Sequence, residues 1–487
     1  MEGGTMAAGD AENRRIRARH PTDRLSELPD SLLLHILSFL HMRDAVSAAR
    51  ISRRWRHLWT ATPCLDFCSY GAELTPNFID TALMLHDRVK VRAFRAAVCT
   101  GPYQNVSDDR DQFIMRVYNW VRFALRRGVE ELHLDCYDRD YAYFFFLQES
   151  PLPDILYTCK SLVSLWMRFG IMEPPSRISM TSLKYLTLSR SEIDPVVLGN
   201  VLAGCPILES LTLEECNTSR EECNTSGGLK VHAERANLKT LKISDVIYGQ
   251  YLDSVYDLLI SAPSITTLAI QGYMRMPYHM NDLSSLVTAS VDLRYMLHWE
   301  VERGNYECLR DLLRDLSHVR VLRLCSWCVQ VLSVKAPESS WSSLDFNVMS
   351  LELVVGFIPR EFPGIFLTLR SFTKLEYLKI DFLDDIAEEY FVDETTYVIR
   401  NERSSPNMLR QLKTVGISGL LTLRAVAENR TVQKIREIYR NGFEFIRFLL
   451  QNSPVLEILT ITDSAMPVSQ QIEPSRTRFL QVCSPYW

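Results

Sequence analysis

The cysteines are the residues whose type and spacing come nearest to a chemical site in this chain. Cys325 and Cys328 form a single Cys-x-x-Cys pair, and Cys64 and Cys68 lie four positions apart. A structural zinc site takes four ligands, usually a second cysteine pair or a histidine pair at short spacing. Neither accompanies these cysteines, and the ten histidines show no ligand spacing. The pattern favours buried, reduced thiols, and we expect no metal and no cofactor.

Motifs that support enzymatic catalysis do not occur in the sequence. There is no phosphate-binding glycine loop of the Walker or dinucleotide type, no Gly-x-Ser-x-Gly turn and no His-Glu-x-x-His helix. We therefore predict no catalytic residues and a protein that is not an enzyme. A turnover that survives mutation of the N-terminal helices but is lost with Cys325 or Cys328 would point the other way.

The composition indicates a folded protein. Of the 487 residues, 47% are hydrophobic, and 54 basic against 59 acidic residues give a net charge of −5. So small a charge gives no reason to expect nucleic acid as a partner. Residues 1–22 form a basic tail without the apolar core of a secretory signal, and no apolar run reaches the roughly 18 residues of a membrane helix. We expect no membrane partner and a cytoplasmic and/or nuclear location; the run from Arg14 to His20 is either an import signal or a solvated tail.

A short apolar segment near the N-terminus must build helices. After Pro29, Asp30 or Ser31 offers an N-cap, and a second helix begins with Asp44 as its N-cap candidate. The first helix carries apolar residues at helical spacing, namely Leu32, Leu33, Ile36, Leu37 and Leu40. A helical unit of this size rarely stabilises a core alone. It either binds a partner or packs only onto the domain that follows.

This segment, with LPDSLLLHILSFL, then Asp44-Ala45-Val46 and Ser52-Arg53-Arg54-Trp55-Arg56, resembles the F-box motif of plant F-box proteins. The resemblance implies docking onto a Skp-type adaptor, which links the chain to a cullin-RING ubiquitin ligase. It implies that Leu28 and Pro29 open the docking surface and that the five apolar helix residues supply packing and adaptor contact. The last helix would be anchored by Trp55 and Trp59.

Arg50 departs from the motif, because a small or apolar residue usually stands at its position. If Arg50 points into the core, the fold or the adaptor affinity is weakened. If its guanidinium extends into solvent over its own aliphatic stem, little changes.

The rest of the chain repeats one pattern, in which an apolar residue is followed by two residues, an apolar residue, one residue and an apolar residue. Leu183-Lys-Tyr-Leu186-Thr-Leu188 is an example, and Val91 to Ala96 is an earlier, degenerate unit. Twelve copies begin at positions 129, 162, 183, 208, 238, 265, 288, 319, 348, 375, 412 and 456. They resemble leucine-rich repeats, in which stacked parallel strands bury a common ladder of apolar side chains.

Together these features predict an α/β protein: a small all-helical F-box head followed by a leucine-rich-repeat solenoid with a curved parallel sheet. The C-terminal part, around Phe445 to Glu457, resembles the FBD-like region of plant F-box proteins. The predicted domains are a disordered basic tail at 1–22, the F-box at 23–67, a linker with a degenerate first repeat at 68–128, leucine-rich repeats at 129–425, and an FBD-like capping repeat at 426–487.

The residues between the ladder positions of each strand point outward and form the candidate target surface. Those predicted to bind a target protein are Trp166, Arg168, Tyr185, Lys242, Arg294, Arg323, Tyr377 and Lys379. The resemblance implies a substrate-recognition subunit of a Skp-cullin-F-box ligase. The alternative is a repeat scaffold that binds a ligand without delivering it to a ligase. The sequence leaves open whether a small molecule or a phosphorylation mediates target binding.

Overall fold

A computed structural model of the chain contains two compact units, Met1–Arg139 and Asp140–Trp487. The tail predicted at 1–22 lies outside the described residues. None of the described helices is long and apolar enough to cross a membrane. The structure describes residues 25, 28–68, 75–87, 89–100, 108–138, 153–168, 173–175, 177–217, 229–233, 237–245, 258–273, 277–294, 303–333, 345–382, 408–420, 432–462 and 470–472.

The first unit opens with short helices. They are α1 (Asp30–Leu37), α2 (Met42–Ser47) with a 3₁₀ turn over Ala48–Arg50, and α3 (Trp55–Leu58) with a 3₁₀ turn over Trp59–Ala61. The predicted N-caps are wrong, because α1 follows Pro29 and α2 follows His41, and neither helix has a side-chain cap. Proline fixes the backbone at the entry to α1. The Asp30 side chain instead pairs with Arg54.

Three parallel strands follow in the same unit: β1 (Cys64–Phe67), β2 (Ala93–Thr100) and β3 (Glu131–Asp138). The connections carry α4 (Pro76–Leu85) and α5 (Asp108–Arg126). The predicted degenerate repeat forms β2, whose Phe94 is in register with Leu65 of β1 and Leu132 of β3. Strand β1 therefore precedes the first strand that the repeat pattern predicts, and it adds one more strand to the ladder.

The second unit is built on a long sheet of parallel strands. The strands of this unit are β4 (Ser164–Arg168), β5 (Tyr185–Ser189), β6 (Ser210–Glu214), β7 (Lys230–His232), β8 (Thr240–Ser244), β9 (Leu258–Ser261), β10 (Thr267–Tyr273), β11 (Tyr278–Asn281), β12 (Thr288–Arg294), β13 (Val321–Cys325), β14 (Ser350–Val355), β15 (Tyr377–Phe382), β16 (Thr414–Ser418), β17 (Ile458–Thr462) and β18 (Gln470–Ile472). The sheet runs in chain order except that β7, β9 and β11 leave it to form a separate three-stranded parallel sheet, and β18 pairs antiparallel with β17.

The ladder register confirms the repeat pattern and corrects one copy. Leu268 of β10 and Leu322 of β13 both pair with Ala289 of β12. Because Ala289 therefore occupies the second apolar position, this repeat begins at Leu286, and the start predicted at Thr288 is wrong by two residues. Because alanine stands where the pattern expects a larger apolar residue, the sequence matched the pattern better two residues further along the strand.

Along the chain, helices occur in several of the connections between the strands of the second unit. They are α6 (Pro195–Gly204), α7 (Arg303–Asp315), α8 (Ser326–Leu332), α9 (Phe362–Ser371) and α10 (Val432–Asn452), with a 3₁₀ turn over Asp154–Thr158. Helix α6 packs on β7 and α7 on β11, the two outer strands of the small sheet. Helix α10 inserts Phe445 among Phe357, Phe362 and Phe366, with ring centroids 5.6–6.3 Å apart. These rings form the packed core at this end of the unit.

A buried carboxyl group holds the turn from β14 to α9. Glu361 is fully buried and accepts hydrogen bonds from the backbone N–H of Gly356 (3.1 Å) and Ile358 (3.0 Å), and from the Ser326 hydroxyl. Phe357 sits between them at a φ of 53°. The carboxyl group thus satisfies backbone donors in a turn that a non-glycine residue seldom adopts.

Candidate functional site

Helix α1 has two apolar faces with different surroundings. Leu33 and Leu37 are 0% and 1% exposed, whereas Leu32 and Ile36, on the adjacent face, are 48% and 36% exposed. A folded unit gains by burying apolar surface, so a row of aliphatic side chains left in water indicates an interaction site. The sequence grouped these four residues on one face, and the structure separates the two that pack from the two that are accessible.

The other predicted adaptor-binding residues also divide by burial. Pro29 is exposed, and Leu28 and Leu40 are half-buried. Trp55 and Trp59 are buried, so they hold α3 and the turn after it against the rest of the head. The accessible predicted residues are therefore Leu28, Pro29, Leu32, Ile36 and Leu40, and the buried ones support them.

Three exposed apolar residues of the predicted F-box segment, Leu25, Phe39 and Ile51, were not among the predicted adaptor-binding set. Phe39 is 76% exposed and its ring packs edge-on against His35, with centroids 4.8 Å apart. Ile51 is exposed between α2 and α3. Phe39 could have been found from the sequence because it flanks the apolar positions of α1. We call Leu32, Ile36, Phe39 and Ile51 the head surface.

Arg50 is exposed, so of the two orientations that the sequence left open it does not take the one that points into the core. Its guanidinium does not enter the core of the head, and the fold carries no buried charge at this position. Arg54, four residues on, donates to Asp30 at the start of α1 (Nε to Oδ1, 3.0 Å). This contact places the segment from Arg50 to Arg54 beside the N-terminal turn of α1.

In the second unit, several predicted target-binding residues alternate with ladder residues along their strands. Tyr185 and Tyr377 are exposed on β5 and β15, at equivalent positions. On β4 the guanidinium of Arg168 lies 5.5 Å from the ring centroid of Trp166, a cation–π contact. The outward face therefore presents aromatic rings at separate strands rather than one aromatic patch.

The outward cations are paired with carboxylates on neighbouring strands. Lys242 lies 3.3 Å from Glu214, and Lys379 lies 2.8 Å from Glu352 and 2.7 Å from Asp381. Arg323 lies 3.7 Å from the same Glu352. Burial by itself would lower the pKa of Lys379, but the hydrogen bonds that its ammonium group donates to Asp381 and Glu352 outweigh this effect, so the pKa is raised. These cations are held in a network and carry little unbalanced charge.

Arg294 is placed differently from the prediction. It is the last residue of β12. Because the repeat begins at Leu286, Asp292 takes the strand position that the sequence assigned to Arg294. The shift follows from the same two-residue register correction at Ala289.

The cysteines pack as thiols. Cys325 donates to the carbonyl of Leu293 (3.0 Å), and its sulfur lies 3.5 Å from that of Cys328. Burial raises the pKa of Cys328 well above its ordinary value, and burial likewise raises the pKa of Cys68 to about 12. Protonated thiols are poor nucleophiles and poor metal ligands. In the described ranges, no group of three or more His, Cys, Asp or Glu residues could hold a metal ion.

Comparison with known proteins gives matches for the helical head and for part of the repeat region. Residues 25–62 match the family model "F-box-like", and residues 117–230 match "FBD-associated F-box protein At5g56370, LRR repeats".

Three similar proteins come from Arabidopsis thaliana. F-box/LRR-repeat protein 25 is 32% identical over 217 residues, 44% of this chain and 77% of that protein. Putative F-box/LRR-repeat protein At3g18150 is 29% identical over 75% of this chain and 73% of its own length. F-box/FBD/LRR-repeat protein At2g26030 is 26% identical over 91% and 93%. With the exposed α1 face and the parallel repeat sheet, these matches show that the chain belongs to the plant F-box/LRR-repeat proteins.

Proposed function

We propose that the chain is the substrate-recognition subunit of a Skp-cullin-F-box type E3 ubiquitin ligase. Proteins with an F-box and leucine-rich repeats typically act as adaptors that bring substrates to such ligases. The observation that carries the proposal is the accessible apolar row of α1, with Leu32 and Ile36 in water directly beside the buried Leu33 and Leu37. The adaptor is a Skp-type protein that covers the head surface.

The gain from covering this surface is large enough to support a stable complex. Full burial of an aliphatic or aromatic side chain contributes about 1.5–3 kcal/mol. Leu32, Ile36, Phe39 and Ile51 are each at least one-third exposed, so each still has part of that gain available. A few well-packed apolar anchors of this kind usually dominate the affinity of an interface.

The outward face of the second unit binds the target protein in this proposal. Because Lys242, Arg323 and Lys379 are engaged with neighbouring carboxylates, a target must displace those pairs to use them. Exposed Tyr185 and Tyr377 require no such exchange, so they are the stronger anchors. Catalysis is by proximity, since a tethered target meets the ligase-bound ubiquitin donor at high effective concentration. The complex acts in the cytoplasm, the nucleus or both.

The competing function is a repeat scaffold whose head has lost adaptor affinity. The exposed position of Arg50 favours the ligase function, because the arginine does not disturb the core of the head. The two functions differ in one observable, which is capture of a Skp-type adaptor by the purified full-length chain.

The deciding experiment compares three proteins in that capture assay. They are the wild type, a Leu32→Ala/Ile36→Ala variant of the head surface, and a Met84→Ala/Leu85→Ala control at exposed apolar positions of α4. Wild type and control should retain the adaptor stoichiometrically, and the head-surface variant should lose at least about tenfold in affinity. If the folded wild type captures no adaptor, the scaffold function replaces the ligase function.

A further inference from the structure

The helical head, taken together with strand β1 that follows it, carries more positive charge than the chain as a whole. Residues 28–68 contain five arginines and no lysine, against three aspartates and no glutamate, for a net charge of +2. The whole chain has a net charge of −5. The excess of cations therefore belongs to the segment that contains the head surface, and it runs against the balance of the rest of the protein.

Two of the three aspartates are already engaged by cations of the first unit. Asp30 pairs with Arg54, and Asp66 lies within salt-bridge distance of Arg95 on β2 and of His41. Asp44 is the remaining carboxylate of residues 28–68, and it is exposed in the first turn of α2. The negative charge that could neutralise the other arginines is thus largely committed elsewhere.

Three arginines form what we call the cationic rim: Arg50, Arg53 and Arg56. All three are exposed, and among the described residues none has a carboxylate within 4 Å of its guanidinium. The rim lies next to the head surface, because Ile51 stands between Arg50 and Arg53 in the chain and the Arg54–Asp30 pair holds this segment against α1. Exposed apolar side chains bordered by unneutralised cations are typical of an interface whose partner is apolar at its centre and acidic at its edge.

We infer that the adaptor surface received by this head is bordered by carboxylates, and that the cationic rim accelerates association by electrostatic attraction to them. This inference rests on the proposed function. Arg50, which departs from the usual motif, is then a contributor to recognition. Rim charges act mainly on the association rate and on its salt dependence, whereas the packed apolar centre sets the dissociation rate.

The test measures association and dissociation rates of the full-length chain with a purified Skp-type adaptor, at salt concentrations from about 20 mM to about 500 mM. It compares wild type, an Arg50→Gln/Arg53→Gln/Arg56→Gln variant, and an Arg436→Gln control at an exposed position of α10. Glutamine keeps polarity and much of the length of arginine while it removes the charge. Thermal unfolding by circular dichroism verifies that all three proteins are folded.

At the lowest salt, the triple variant should associate about tenfold more slowly than wild type, and the two rates should converge at the highest salt. Their dissociation rates should agree within about twofold, and the control should behave as wild type. Equal association rates for wild type and triple variant at every salt concentration would overturn the inference while leaving the proposed function standing. Loss of binding by the triple variant at all salts would also overturn it, because the arginines would then be part of the packed centre. Absence of binding by wild type would reject the proposed function and the inference together.

Discussion

Replacing Glu361 by glutamine should remove a pH dependence from the stability of the second unit. The carboxyl group of Glu361 is fully buried, and this burial raises its pKa to about 7, partly opposed by the hydrogen bonds from Ser326, Gly356 and Ile358. An accessible glutamate in the unfolded chain titrates near 4.5. Between these two values the folded protein binds a proton that the unfolded chain releases.

The sign and size of the effect follow from this difference. Because the folded state binds more protons over that window, the free energy of unfolding is highest below about pH 4.5, falls as the pH rises to about 7, and is level above it. Each pH unit within the window costs about 1.4 kcal/mol, so the total is about 3 kcal/mol, or roughly a hundredfold in the opening equilibrium. The glutamine variant has no proton to lose at this position.

Hydrogen exchange of the full-length protein, read by mass spectrometry on peptides from α8, α9 and α10, measures the local opening. After correction for the intrinsic pH dependence of exchange, protection of wild type relative to Glu361→Gln should decrease by about two orders of magnitude from pH 4.5 to 7.5. Glu457→Gln, at an exposed position of the same unit, serves as the control and should track wild type. A constant ratio between wild type and Glu361→Gln across this range would refute the argument from burial.

Three further substitutions and one chemical probe test the packing of the second unit. Gly364→Ala places a Cβ 1.9 Å from the carbonyl oxygen of Val329, so chemical denaturation should show that the free energy of unfolding falls by about 2 kcal/mol or more. Gly199→Ala, with nothing within 4 Å of its Cβ, should instead raise the free energy of unfolding by up to about 1 kcal/mol. Phe445→Ala removes a fully buried ring from the aromatic cluster and should cost about 3–5 kcal/mol in the same assay, and a loss below about 1 kcal/mol would contradict the packing. Cys328 should resist iodoacetamide in the native protein at pH 8 and react in urea, since a buried thiol with a raised pKa has almost no thiolate; rapid native labelling would refute this.

The ladder of the repeats could be predicted from the sequence because the two-residue period of a strand and the need for burial both require apolar residues at the same positions. Leu186, Leu211 and Leu241 stand side by side in the sheet, and each is buried. A one-residue slip would turn every ladder leucine to the outward face, so the register is strongly specified. Among the twelve predicted copies, the register was wrong where Ala289 filled a ladder position, because alanine does not distinguish a buried strand position from a surface one.

The sequence pattern could not predict the buried carboxyl group of Glu361, nor which apolar residues of α1 are buried and which are exposed. Glu361 is separated by three to five residues from the amides it binds, and only the left-handed backbone at Phe357 turns those amides toward it. On α1, Leu32 and Leu33 are chemically identical neighbours in one apolar stripe. Which of them is buried depends on where Trp55 and Trp59 pack, which is tertiary information.

The head is joined to the first strands of its unit by contacts on several sides. Strand β1 follows the head directly and pairs in parallel with β2, the backbone N–H of Asp87 donates to the carbonyl of Thr60, and a ring nitrogen of His86 lies 2.9 Å from the carbonyl oxygen of Thr62. In the function we propose, catalysis by proximity gains from this firm connection, because effective concentration depends on how tightly the spacing between two bound partners is fixed. If the head binds an adaptor as we propose, its buried side contributes to function as well as to stability, since it orients the head surface on the first strands while Leu32 and Ile36 stay exposed.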